Sequence, residues 1–387
     1  MRFIYYGAAV LLYVAALPFL VFLCFKSKYT FSIPARFFLK NNAPFEPNAR
    51  MWFHACSLGE VRSLKPLVET FAPSDVRISV MTQTGFREAA LLHTAVRYLP
   101  FEIFLPFWTR PQDVLVVMEA ELWPLLFISA KAKGIRTVLL NARISDHSYA
   151  SYAKFAWFYR WIFRYVDTVL AQSEEDKERL AFLGAKRISV VGNIKQYQRY
   201  GVTKVYDKPK NKRLIVIAST HEKEEALILE HIAIKENDTI VVVPRHPERF
   251  EKIRRWLASY ATEHRRSFDS LSHSERLDSD FILCDQMGRL IDLYAVADVV
   301  ILGGSFVEGV GGHNPLEPAF FGVKLISGAS IFNQKVLFEA VENAKIVAID
   351  ALYDVFEHID EVRPSFITPK DAIEPLLEKI RGTDHDR

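Results

Sequence analysis

The chain has 387 residues, 50% of them hydrophobic and 25% charged, which excludes a disordered chain and is too long for one ordinary core, so two domains are expected. A formal charge of +3 lacks the dense basic footprint of a nucleic-acid binder, and no nucleic-acid partner is expected. Cys24, Cys56 and Cys284 are too scattered for a disulfide framework or a zinc site, and no other residues form an evident metal site.

From Phe3 to Phe25 no residue is charged, a stretch long enough to cross about 30 Å of hydrocarbon. Arg2 precedes it and Lys26, Lys28, Arg36 and Lys40 follow. The positive-inside bias then predicts a membrane anchor over residues 1–28 with the rest of the chain on the cytoplasmic face. The stretch exceeds the usual h-region of a cleaved signal peptide and lacks a small-x-small cleavage site. Pro18 and the flanking aromatics leave two modes open, a helix that spans and one that enters a single leaflet.

Beyond Lys40 short apolar runs alternate with helical patterns, the grammar of a parallel sheet covered by helices. Strands are predicted at Met51–Ala55, Val76–Met81, Val114–Met118, Thr137–Asn141, Thr168–Ala171 and Ile188–Val191, with helices such as Val61–Phe71 and Ser173–Leu183 between them. Residues 196–213 lose apolar periodicity and read as a linker. The alternation restarts with strands at Leu214–Ala218, Thr239–Val243, Phe281–Cys284, Val299–Leu302, Lys324–Ile326 and Ile346–Ile349, and helices at His221–Lys235 and Arg289–Ala297. The fold class is therefore α/β, two Rossmann-like doubly wound domains behind an N-terminal membrane-anchoring helix, with the ligand site expected at the carboxyl ends of the strands. A GxxxxGK[ST] loop is missing from the sequence, which removes the lysine an ATPase or kinase needs.

Polar residues concentrate at those strand ends. His54-Ala55-Cys56-Ser57-Leu58-Gly59-Glu60 turns straight into a helix, which puts Glu60 near the helix N-terminus, where it serves as a general base or as a cap. There the helix dipole favours its ionised form and limits its basicity. Glu119-Ala120-Glu121-Leu122-Trp123-Pro124 brings two more carboxylates, and Gly192-Asn193-Ile194-Lys195 ends with a cation suited to a leaving phosphate or simply to solvent. In the second half, Ser219-Thr220-His221-Glu222 and the Gly303-Gly304-Ser305 loop offer hydroxyls and amides for an anion. Arg245, in Pro244-Arg245-His246-Pro247-Glu248-Arg249, offers a planar fork for phosphate or carboxylate, and Glu317, in His313-Asn314-Pro315-Leu316-Glu317-Pro318, is placed to accept from a ribose diol.

Taken in order, WFHACSLGE, MEAELWP, NARIS, VGNIK, ASTHEKEE, PRHPER and GGHNPLEP resemble the Kdo transferases of lipopolysaccharide assembly over nearly the whole chain. The resemblance implies a GT-B fold, with residues 29–195 as the acceptor domain and 214–387 as the CMP-sugar donor domain. It further implies an inverting, metal-independent transfer of 3-deoxy-manno-octulosonic acid (Kdo) from CMP-Kdo to a lipid A precursor (lipid IVA), without a cofactor. By resemblance Glu60 is the base and Glu121 and Lys195 support the transition state. Pro244, Arg245, Met287, Gly288, Arg289, Asn314, Pro315, Leu316 and Glu317 fall in the CMP-binding segments. Cys56, Leu125, Gln196-Tyr197 and Arg289 depart from the usual family residues. The rival reading, a sugar-nucleotide epimerase of the same architecture, has no use for a lipid-facing anchor.

Overall fold

A computed structural model of the chain describes residues 1–368 and 373–382. It divides into one unit of Met1–Gln198 with Asp371–Arg387 and a second of Arg199–Lys370.

The first unit opens with helix α1 (Arg2–Cys24) and the short α2 (Ser32–Phe38). A seven-stranded parallel sheet follows, built from β1 (Met51–Ala55), β2 (Val76–Val80), β3 (Ala95–Tyr98), β4 (Val114–Met118), β5 (Arg136–Ala142), β6 (Thr168–Ala171) and β7 (Ile188–Val190). Its order is β3-β2-β1-β4-β5-β6-β7, so the winding reverses between β1 and β4. Helix α3 (Leu58–Val68) follows β1 directly and presses Val61, Leu64 and Leu67 into the core under the sheet. β1 and β4 are buried along their whole length, as strands covered on both faces must be.

The second unit repeats the plan with β8 (Arg213–Thr220), β9 (Asp238–Pro244), β10 (Phe268–Ser270), β11 (Phe281–Leu283), β12 (Val299–Leu302), β13 (Lys324–Gly328) and β15 (Lys345–Val347) in one parallel sheet. Its order is β10-β11-β9-β8-β12-β13-β15, with the reversal at β8 and β12. A small antiparallel pair, β14 (Val341–Glu342) with β16 (Phe366–Ile367), lies outside it.

Besides the short β14 and β16, two strands of the parallel sheets escape the sequence pattern, and both are sheet edges: β3 reads Ala-Val-Arg-Tyr and β10 Phe-Asp-Ser, too short and too polar to give an apolar run. The helix predicted at His221–Lys235 forms only over Glu224–Glu230. The last described helix, Glu374–Arg381, falls in sequence within the segment expected to form the donor domain, yet it buries Leu376, Leu377 and Ile380 in the first unit. There the Arg136 guanidinium donates to the Ile380 carbonyl at 3.2 Å. The 3.6-residue period identifies such a helix but carries no information about which core receives it.

Candidate active site

In the first unit the polar strand ends gather at the β1/β4 reversal, the position where open α/β sheets bind ligands. Ser57 caps α3, its hydroxyl accepting from the Glu60 amide at 3.4 Å. Glu60 reaches back, its Oε2 accepting from the Cys56 amide at 2.8 Å and its Oε1 from the Ser57 hydroxyl at 2.8 Å. This is a variant of the capping box, its reciprocal bond made to the amide just before the cap, and cap and candidate base are the same side chain. Burial is the largest influence on the Glu60 carboxyl. It outweighs those two hydrogen bonds and, with the nearby charges of Glu119 and Glu121, holds the pKa above the usual glutamate value. The expectation that the helix end limits its basicity is thus reversed.

Glu119, the first residue after β4, is held at φ +54°, an uncommon conformation for a glutamate. Burial raises its pKa too, against the opposing charges of Lys195 and Arg143. Glu121 Oε2 accepts from the Trp123 indole at 2.7 Å. Cys56 has its thiol pushed up to about 12 by burial and by the charges of Glu121 and Glu60, so it stays protonated and is no nucleophile. The Arg36 guanidinium, anchored on the Leu99 carbonyl at 3.0 Å, is the cation next to Cys56 and Glu121.

Lys195 is placed from below. Asn141, at φ +58°, accepts from the Ile194 amide at 3.1 Å, and Asn193 donates to Gln172 at 2.9 Å while accepting from the Lys195 amide at 3.0 Å. His54, wholly buried, bonds through Nδ1 to the Ser79 carbonyl at 3.1 Å and lies inside the sheet.

In the second unit the corresponding turn is built differently. Glu224 is 0% exposed, and its carboxylate accepts from the amides of His221 at 2.9 Å, Gly304 at 2.8 Å and Phe306 at 3.1 Å. The glycine loop is therefore stapled by the protein's own anion, and those amides are not free for a phosphate. Nor is the Thr220 hydroxyl, which donates to Glu225 at 2.6 Å. Gly303 is required here, since a Cβ on it would sit 2.9 Å from both the Ala218 carbonyl and Glu224. Above the staple lie three imidazoles. His221 Nε2 and His313 Nε2 are 2.9 Å apart in stacked rings, and His246 meets His221 edge-on. Burial, then neighbouring positive charge that includes Arg245, lowers His313 to about 4. Burial lowers His221 as well. Arg245 itself is exposed, with its amide fixed to the Thr220 carbonyl at 3.0 Å.

Asn314 accepts from the Leu316 amide at 3.1 Å and donates to Glu317 Oε1 at 3.2 Å. Met287 is exposed, Gly288 turns at φ +80°, and Arg289 donates to Gln286 at 3.1 Å and lies 3.6 Å from buried Asp292. Among the described residues no three His, Cys, Asp or Glu side chains form a group able to hold a metal.

Residues 32–198 match the family described as 3-deoxy-D-manno-octulosonic-acid transferase (kdotransferase). The 3-deoxy-D-manno-octulosonic acid transferase of Haemophilus influenzae is 30% identical over 93% of this chain and 90% of its own length. The chain belongs to the Kdo transferase family. That membership makes it a glycosyltransferase. A bifunctional glycosyltransferase/methyltransferase of Fusobacterium nucleatum is 29% identical over 82% of the chain, which spans only 54% of that protein's length. Two solved structures share the fold alone. A glycosyltransferase from Rickettsia africae has a TM-score of 0.51, 12% identity and coverage of 87% of this chain and 92% of its own. A putative UDP-N-acetylglucosamine 2-epimerase from Listeria monocytogenes has a TM-score of 0.51, 14% identity and coverage of 81% and 88%. The architecture is GT-B.

Against the residues expected from this family, the first unit brings Glu60 and Glu121 together, while the charge facing Lys195 is that of Glu119. In the second unit, the Leu316 side chain is fully buried in the core and its amide is capped by Asn314. Pro315 is buried too. In the sequence Arg36 is only a basic flank of the membrane segment, because charge next to an apolar run carries no sign that it is half-buried in the fold. Tyr200 lay within the expected linker; its hydroxyl is 3.5 Å from Asn314 Nδ2.

Proposed function

We propose that the chain transfers Kdo from CMP-Kdo to a hydroxyl of a lipid A precursor such as lipid IVA, with inversion at the anomeric carbon. The observation that carries this reading is the Glu60 carboxyl, which is tied into the α3 cap yet held above its ordinary pKa beside two further carboxylates at the switch point. Glu60 accepts the proton of the acceptor hydroxyl as that oxygen bonds to the anomeric carbon, and the bond to the cytidylate phosphate oxygen breaks on the opposite face. Glu121 and Glu119, beside Arg36 and Lys195, stabilise the positive charge that develops on the sugar, and Lys195 the charge on the departing phosphate.

The first unit acts as acceptor domain and the second as donor domain. Arg245 and the imidazoles of His221, His246 and His313 receive the phosphate, since the amides of Gly304 and Phe306 already serve Glu224. Asn314 and Glu317 take the ribose, and Pro244 with Met287, Gly288 and Arg289 borders the cytosine.

The acceptor is a lipid, and α1 supplies the attachment. It is long and apolar enough to cross a membrane, with a mean hydropathy of 2.4. Its Tyr5, Tyr6 and Tyr13 hydroxyls, however, are bonded to Glu102, the Ile103 carbonyl and the Phe37 carbonyl. Those bonds tie the domain to α1 over eight residues, about 12 Å of helix, and a spanning pose would carry irregular backbone to that depth in hydrocarbon. The opposite stripe, with Phe3, Leu11, Leu12 and Phe22 exposed, enters one leaflet instead. In this reading the protein is attached to the cytoplasmic face of the inner membrane.

The test is incubation of the full chain with CMP-Kdo and lipid IVA in mixed micelles, with products read by mass spectrometry. A glycolipid heavier by one or more Kdo residues is expected. An altered sugar nucleotide would identify an epimerase, and binding without turnover a nucleotide-binding module.

A further inference from the structure

Glu102 is 4% exposed, at the start of the turn Glu102–Phe104, and the reaction above makes no use of it. A buried carboxyl is costly unless its oxygens are satisfied, and both are. The Tyr5 hydroxyl of α1 donates to Oε2, and the Leu125 amide donates to Oε1 at 2.8 Å.

Leu125 is the second residue of the helix Pro124–Ala132, whose preceding residue Trp123 offers no side-chain cap. Pro124 has no N–H, so the Leu125 amide is the first donor that this helix must satisfy. Glu102 is therefore the cap of that helix, supplied from 23 residues earlier in the chain. Immediately before the helix comes the loop bearing Glu119 and Glu121, and the Trp123 indole ties the helix start to Glu121 at 2.7 Å. On the other side, Tyr5 is seated firmly, its ring 5.9 Å from that of Phe158 and 5.6 Å from that of Trp161, and the adjacent Tyr6 hydroxyl bonds the Ile103 carbonyl at 3.2 Å.

We propose that α1 is a working part of the site as well as an attachment: Tyr5, through Glu102, fixes the helix start at Leu125 and with it the loop that presents Glu119 and Glu121. Tyr5 and Glu102 are positioning residues. The inference rests on the transferase reading only for what the loop does; the linkage itself is a matter of the first unit alone. Its consequence is that docking of the lipid-facing helix and readiness of the acceptor-side carboxylates are one equilibrium.

The test uses the full chain in mixed micelles. Tyr5→Phe removes one hydroxyl and keeps the ring packing. We expect kcat to fall about tenfold, the size of one lost charge-assisted bond acting through the loop, while the KM for CMP-Kdo stays within about twofold. Glu102→Gln, whose amide oxygen still accepts from Leu125, should recover most of the rate that Glu102→Ala loses. Tyr5→Phe added to Glu102→Ala should cost little more than Glu102→Ala alone, because both break one chain of bonds. Amide hydrogen exchange supplies an arm independent of activity: Leu125 should lose protection in Tyr5→Phe while the amides of β1 and β4 keep theirs. Wild-type kcat together with unchanged Leu125 exchange in Tyr5→Phe would overturn the linkage, as would strictly additive losses in the double variant. A wild-type protein that makes no glycolipid would sink the transferase reading, and the exchange arm would still decide the linkage.

Discussion

The two units use one device to opposite ends. In each, the strand beside the winding reversal runs into a helix, and a glutamate from the first turn reaches back to a backbone amide: Glu60 to Cys56, Glu224 to His221. Glu224 is sealed from solvent and answers three backbone donors. Glu60 is half-buried, answers one backbone donor and one hydroxyl, and faces two other carboxylates. A carboxylate surrounded by amides is a structural staple. One that is incompletely satisfied and crowded by like charge is poised to accept a proton.

That contrast is broken most severely at Glu60. Glu60→Gln keeps the shape and the capping-box role, since glutamine serves in capping boxes too, but cannot take a proton. Transfer should fall by about 10²–10⁴-fold in single-turnover assays while CMP-Kdo affinity is retained. The folded state should be no less stable at neutral pH. A carboxyl whose folded pKa is raised costs stability once pH exceeds that value, and the amide removes that cost. Near-normal turnover, or a lowered unfolding temperature with donor binding lost, would return Glu60 to the status of a plain cap.

Glu224→Ala should behave in the opposite way. It strands three backbone donors, each costing about 1–3 kcal/mol when buried without a partner, so the second unit should lose on the order of 3 kcal/mol or more. Urea unfolding monitored for that unit reads this directly. A stable variant that had lost only catalysis would make the two glutamates alike after all.

Arg245→Ala probes the phosphate side. An arginine bond to an anion is worth about 1.5–3 kcal/mol, so CMP-Kdo affinity should weaken by roughly ten- to a hundredfold with little change in unfolding temperature, because the side chain is exposed. Unchanged affinity in a titration would leave the imidazoles as the phosphate site without it.

Much of this was legible in the residues. Buried parallel strands such as Val114–Met118 announce themselves as unbroken apolar runs, and Ser57-Leu58-Gly59-Glu60 carries its capping box openly. The sequence conceals satisfaction and partnership. Ser219-Thr220-His221 beside Gly303-Gly304 reads as an anion site in both cases, whether the anion is a ligand or, as here, Glu224 from the same chain. Glu102 and Tyr5 lie 97 positions apart, and no local pattern relates them. Glu119 was visible as one of two carboxylates, but the turn that aims it depends on a φ of +54° that no glutamate advertises.

The smallest expected effect compares buried imidazoles in the two units and concerns pH. His54 Nδ1 lies 3.1 Å from the Ser79 carbonyl and 3.0 Å from the Ser79 hydroxyl, and Nε2 is buried without a partner among the described residues. Charging the ring puts a proton on both nitrogens and leaves Nε2 a buried donor without an acceptor. Burial, aided by the nearby Arg36 charge and opposed by the Ser79 carbonyl, lowers the pKa to about 3. The unfolded chain takes up that proton near pH 6.5. Between the two values the unfolded state binds more protons, so stability is fully present above about pH 6.5 and is lost as pH falls toward 3, by at most about 1.4 kcal/mol per pH unit. His313, lowered to about 4 and less deeply buried, should add a weaker slope of the same sign over a narrower range. The carboxylates contribute their own pH dependence, so the decisive quantity is the difference between the wild-type protein and His54→Asn, whose amide still donates to the Ser79 carbonyl without titrating. Urea midpoints at pH 7 and pH 5 should converge for the two proteins as pH falls, because only the wild type pays for keeping an imidazole neutral. Parallel loss of stability in both would mean that His54 is charged in the folded state, and that Nε2 has found an acceptor.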